Sequence, residues 1–99
     1  KKVGQRKKID FFSNKMPTIL FIFGWRLLFC SNEGSEPIHI RAEKGDMECK
    51  FWILEEEIEI KEAFEYNLTP AARKEIKIII YQHFDLIVDA WNKNFNKEQ

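Results

Sequence analysis

Hydrophobic and polar residues alternate most regularly between Ile38 and Leu54. There a two-residue turn at Gly45-Asp46 would set Lys44 against Met47, Ala42 against Cys49, Ile40 against Phe51 and Ile38 against Ile53. One face of such a hairpin is wholly apolar. The other carries His39 against Trp52, Arg41 against Lys50 and Glu43 against Glu48, with the diagonal pairs Arg41 with Glu48 and Glu43 with Lys50 relieving the like charges that oppose each other. A slip of one residue would drive the ionic side chains into the core, so the pattern specifies one register.

Upstream, Thr18 to Phe23 is apolar at every position after the first, as in a strand with side chains buried on both faces. Gly24 punctuates it, and Arg26 to Cys30 forms a second apolar run, so the Phe23-Gly24-Trp25-Arg26 junction predicts a tight antiparallel hairpin. Residues 31–37, Ser-Asn-Glu-Gly-Ser-Glu-Pro, read as a loop. Glu55 to Lys61 is acidic text with brief period-two alternation, compatible with a short edge strand or a wet loop.

Beyond it, Asn67 suits a turn with positive φ, Thr69 an N-cap and Pro70 the first helical position, where its missing donor is no loss. Ile76, Ile80, Phe84, Ile87, Trp91 and Phe95 follow at helical spacing from about Pro70 to about Asn94. One long helix or two with a break near His83 would both carry that stripe. The expected fold is α+β: an antiparallel sheet of about four strands, one face covered by a C-terminal helix or helix pair, the other open to solvent.

The chain's 99 residues allow one core, and 44% hydrophobic residues with only 4 Gly and 3 Pro exclude disordered and low-complexity classes. Acidic and basic residues balance at sixteen each, which removes any general attraction to polyanions or anionic membranes. The balance is uneven. Lys1, Lys2, Arg6, Lys7, Lys8 and Lys15 against Asp10 give residues 1–15 a net +5, and the remainder −5. We therefore divide the chain into a flexible basic extension, 1–15, and a single α+β domain, 16–99, opening at Met16-Pro17-Thr18. No apolar run approaches the roughly 20 residues of a membrane span and no secretory signal is visible, so a cytoplasmic location is expected. Cys30 and Cys49 stand in strand-like contexts without CxxC spacing, which reads as buried free thiols rather than a disulfide or a metal site.

The polar hairpin face gathers the candidate chemistry. His39 could carry a proton, Arg41 and Lys50 could clamp a phosphate, and Trp52 could stack on a base beside Glu43 and Glu48. These are the parts of a metal-independent ribonuclease, and equally those of an ordinary solvated sheet face with cross-strand charge pairs. His83, beside the apolar stripe, reads as a structural residue at a helix break or end. The acidic run from Glu55 to Glu59 could attract a cation or a basic partner, and it reads more simply as a solvated edge that blocks edge-to-edge pairing. No phosphate-binding glycine loop, nucleophile elbow, HExxH or EF-hand loop is present, and no cofactor is implied.

Met16-Pro17-Thr18 before an apolar strand, Ser31-Asn32-Glu33-Gly34, Glu36-Pro37, His39, Gly45-Asp46, Lys50-Phe51-Trp52 and a C-terminal helix bearing Trp91 together resemble the domain of unknown function 4160 family of small bacterial proteins. The likeness spans about residues 16 to 95. It implies a short stand-alone protein encoded beside another small protein, an arrangement of the toxin–antitoxin kind. The family pattern reads Pro-Pro-His-x-His, and here Pro37 and His39 match while Ile38 and Arg41 replace the second proline and second histidine. If the family's two histidines act together, this chain has lost half the pair. The expectation becomes a non-catalytic protein-interaction module that binds a protein partner, such as the neighbouring gene's product, through the sheet face, the acidic edge or exposed aromatics. The alternative is RNA cleavage or RNA binding on the exposed sheet face, with the basic extension as a further RNA-binding element.

Overall fold

The computed structural model describes residues 18–29 and 37–95. Five strands, β1 (Thr18–Ile22), β2 (Trp25–Leu28), β3 (His39–Lys44), β4 (Met47–Leu54) and β5 (Glu59–Tyr66), form one antiparallel sheet in sequence order. Two helices follow, α1 (Pro70–Gln82) and α2 (Phe84–Phe95). The central hairpin has the register its alternation predicts: His39 opposes Trp52, Ile40 Phe51, Arg41 Lys50, Ala42 Cys49, Glu43 Glu48 and Lys44 Met47. The amide of Ile53 donates to the carbonyl of Ile38 at 2.9 Å, extending the pairing past the strand end. Gly45 at φ 58° supplies the left-handed backbone this turn requires, and the first hairpin turns on Phe23 and Gly24 at φ 52° and 83°.

The apolar face of the sheet and the two helices share one core. Trp25, Leu27, Ile40, Ala42, Cys49, Phe51 and Ile53 from the strands meet Ala72, Ile76, Ile79, Ile80, Phe84, Ile87, Val88 and Trp91 from the helices. Each fully buried side chain of this size contributes about 1.5–3 kcal/mol, whereas an exposed ion pair contributes about 0–1, so burial of the helical stripe is what fixes the helices to the sheet. Thr69 caps α1, its hydroxyl accepting from the Ala72 amide at 3.0 Å, and Pro70 begins the first turn. Asn67 lies at φ 59°, as its turn role predicts.

The stripe is carried by two helices. At His83 the backbone leaves helical geometry, and its amide donates to the carbonyls of Ile79 and Ile80 at 3.1 and 3.2 Å. The His83 ring closes the same end, with Nδ1 donating to the Ile79 carbonyl at 2.9 Å.

The sheet has one strand more than the expected four or so. Glu55 to Ile58 form an exposed turn, and β5 then runs eight residues, through the stretch Glu62 to Tyr66 that the sequence pattern left unassigned. Two features hid it. The pairing with β4 shifts between Lys50 and Phe51, which interrupts any period of two. Two glutamates of β5 also oppose core residues, Glu62 facing Phe51 and Glu65 facing Cys49. Glu62 is met there by Arg73 of α1, whose Nε donates to Oε1 at 2.8 Å and whose Nη2 donates to Oε2 at 3.4 Å, while Glu65 accepts from the Leu68 amide at 3.2 Å.

Cys49 is a buried free thiol, and burial foremost, with the Glu62 charge next, pushes its pKa up to about 12. Cys30 and the basic segment 1–15 lie outside the described residues.

Candidate functional site on the second sheet face

The second face is laid out in rows set by the strand register. Phe21, Arg26, Glu43, Glu48 and Tyr66 are successive cross-strand partners over all five strands, and Thr18, Leu28, Arg41, Lys50 and Phe64 form the row beside them. His39, Trp52 and Lys61 make a third, shorter row. Arg41, Lys50, Glu43, Glu48 and Trp52 are thus brought together on one surface and are all half-buried. The alternation could find these because their strands are regular. It could not supply Phe21 or Arg26, which lie on strands read as fully apolar runs, nor Phe64 and Tyr66, whose strand the pattern did not reveal.

Electrostatics on this face run between neighbouring strands and over rings. Arg26 pairs with Glu43, Nη1 to Oε1 at 3.4 Å, and its Nε donates to the Thr18 hydroxyl at 2.8 Å. The Arg41 guanidinium lies 5.8 Å from the Phe64 ring centroid and the Lys50 ammonium 5.0 Å from that of Trp52. Arg41 and Lys50 are adjacent in their row, so their like charges are spread over aromatic surface rather than left facing each other.

His39 departs from the expectation of an exposed proton carrier. Its register places it on this face, opposite Trp52, yet it is fully buried. The ring stands edge-on to Trp52 with centroids 5.5 Å apart, and is 5.0 Å from Trp91 of α2. Nδ1 lies 3.0 Å from the Pro37 carbonyl, which can only accept, so Nδ1 carries the proton. The physical cause is the position of His39 at the start of β3. That end of the sheet is where Trp91, also edge-on to Phe29 at 5.2 Å, is seated. Leu28 is likewise fully buried on this face, so the surface is not the uniformly wet one that alternation implies. Its most exposed aromatic residues stand at the flanks, Phe21 71% exposed at one side and Tyr66 58% and Phe64 42% at the other.

Among the described residues no cluster of three or more His, Cys, Asp or Glu is placed to hold a metal ion, and no helix is long and apolar enough to cross a membrane. The acidic residues Glu55 to Glu59 are exposed at the β4–β5 turn.

A meander sheet backed by two C-terminal helices, with an aromatic and ionic outer face, defines a small α+β domain. The chain belongs to the family described as Domain of unknown function (DUF4160), whose profile matches residues 24–92, well over half of its length. No curated protein and no solved structure matches it.

Proposed function

We propose that the chain is a non-catalytic protein-interaction module that binds the product of a neighbouring gene, in a pair of the toxin–antitoxin kind, through its second sheet face. The observation that carries this reading is the row Phe21, Arg26, Glu43, Glu48 and Tyr66. It alternates aromatic flanks with a charged centre across five strands, on the face the helices leave uncovered. Aromatic and arginine side chains around a polar strip are the composition from which protein interfaces draw most of their binding energy. Enclosure of His39 weighs against the nuclease alternative, because a general acid must reach a substrate atom within about 3 Å, directly or through one water. Arg41 and Lys50 remain suited to a phosphate or a carboxylate.

The test is co-expression with the adjacent open reading frame, followed by size-exclusion chromatography with light scattering. A defined complex is expected, weakened at least about tenfold by Tyr66→Ala together with Phe21→Ala, since anchors of this type cost about 1–2 kcal/mol or more each. A chain that stays monomeric beside its neighbour, or a complex indifferent to both substitutions, overturns the proposal.

A further inference from the structure

A second surface lies away from the sheet face. The β4–β5 turn, the end of α1 and the first half of α2 enclose a groove of about 810 Å³, lined by Glu55, Ile58, Tyr81, Phe84, Leu86 and Asp89 among others. Its charged lining has one sign: Glu55, Asp85 and Asp89 border it, with no lysine or arginine among the lining residues, and Glu56 and Glu57 are exposed on the same turn.

Beside the carboxylates, and with Gln82 and His83, the groove presents apolar and aromatic side chains. The Tyr81 and Phe84 rings are nearly parallel, 10° apart with centroids at 6.4 Å, and the Tyr81 hydroxyl accepts from the Ile60 amide at 3.2 Å, which fixes the ring. Ile58 and Leu86 are 64% and 42% exposed.

Ile58 is the most telling residue. It holds φ at 54°, a left-handed conformation that a β-branched side chain adopts only against steric resistance, and its side chain is left mostly in water. The fold gains little burial from it. An exposed apolar side chain held at conformational cost beside aromatic rings and carboxylates has the makings of a contact for another molecule.

The sign of the charge excludes a polyanion. Apolar side chains interleaved with the carboxylates favour a ligand that is cationic and greasy together. We propose that this groove docks a basic, apolar peptide segment of a partner protein. Lysine or arginine side chains lie over the Tyr81 ring and pair with Glu55 and Asp89, and leucine-sized side chains rest on Ile58 and Leu86.

The probe is a fluorescein-labelled twelve-residue peptide of alternating lysine and leucine pairs, with a glutamate-for-lysine counterpart as control, titrated by fluorescence anisotropy into the full chain. The lysine peptide is expected to bind and the glutamate peptide not. Glu55→Gln with Asp89→Asn is expected to weaken binding about tenfold, whereas Glu43→Gln with Glu48→Gln on the sheet face leaves it unchanged. Ile58→Gly separates docking from folding: relief of the positive φ raises the thermal midpoint while binding of the lysine peptide falls. Equal binding of both peptides, loss of binding through the sheet-face pair instead of the groove pair, or an Ile58→Gly chain that binds as well as the parent overturns the proposal. The sheet-face interaction is read separately, by complex formation with the neighbouring product, so failure of the groove and failure of that reading are distinguishable.

Discussion

His39 shows how a residue's face and its exposure are separate properties. Alternation along β3 assigns it to the polar side, and the register places it there, opposite Trp52. What alternation cannot encode is Trp91, 52 positions later, whose ring comes to 5.0 Å from the imidazole. A structural role follows. His39→Ala empties a site between two indole rings and leaves the Pro37 carbonyl without its donor, so we expect a loss of about 2–4 kcal/mol in urea unfolding. A proton carrier displayed to solvent would cost less than about 0.5 kcal/mol on the same substitution. Gly45 is the opposite case, where the local sequence suffices: a glycine-aspartate pair between alternating runs names its own turn, and φ of 58° bears that out.

At the scale of elements, one carboxylate ties α1 to residues beside two of the sheet's turns, Phe23-Gly24 and Gly45-Asp46. Glu75 Oε1 accepts from the Trp25 indole at 3.0 Å and from the Lys44 ammonium at 3.3 Å, and these two partners, the indole first, hold its pKa below the ordinary 4.5. A depressed folded-state pKa stabilises the fold above the ordinary value, and the contribution is lost as pH falls through the lowered one. Thermal midpoints should therefore drop more steeply below about pH 4.5 in the parent than in Glu75→Gln, where this carboxylate no longer titrates. Equal slopes would show that the tether does not form in solution. The elements themselves were unequally legible. The central hairpin follows one period throughout and was readable down to partner residues, whereas the helical stripe was readable as a stripe and not as two helices. β5 was not, because Glu62 and Glu65 occupy positions where alternation demands apolar residues, and their neutralising contacts come from Arg73 and from the Leu68 amide. A strand that sets glutamates opposite core residues, to be met by a helix not yet placed, has no signature within its own eight residues.

On the scale of the whole molecule, every sheet pairing among the described residues joins strands that are neighbours in sequence, while their covering apolar surface arrives afterwards, chiefly on α1 and α2. The same separation made the site partly legible, since the outer face is written in the strands alone and only its His39 end depends on a helix. A chain ending at Thr69 would keep all five strands but leave Leu27, Ile40, Phe51 and Ile53 without their helical partners, and we expect it to precipitate where the full chain stays in solution, as centrifugation and light scattering would report. For a ribosome the arrangement has a further meaning. The five strands emerge and can zip in order, yet they present a bare greasy slab until α1 and α2 clear the exit tunnel, so the interval between those two moments is when a chaperone has its best hold on the newborn chain.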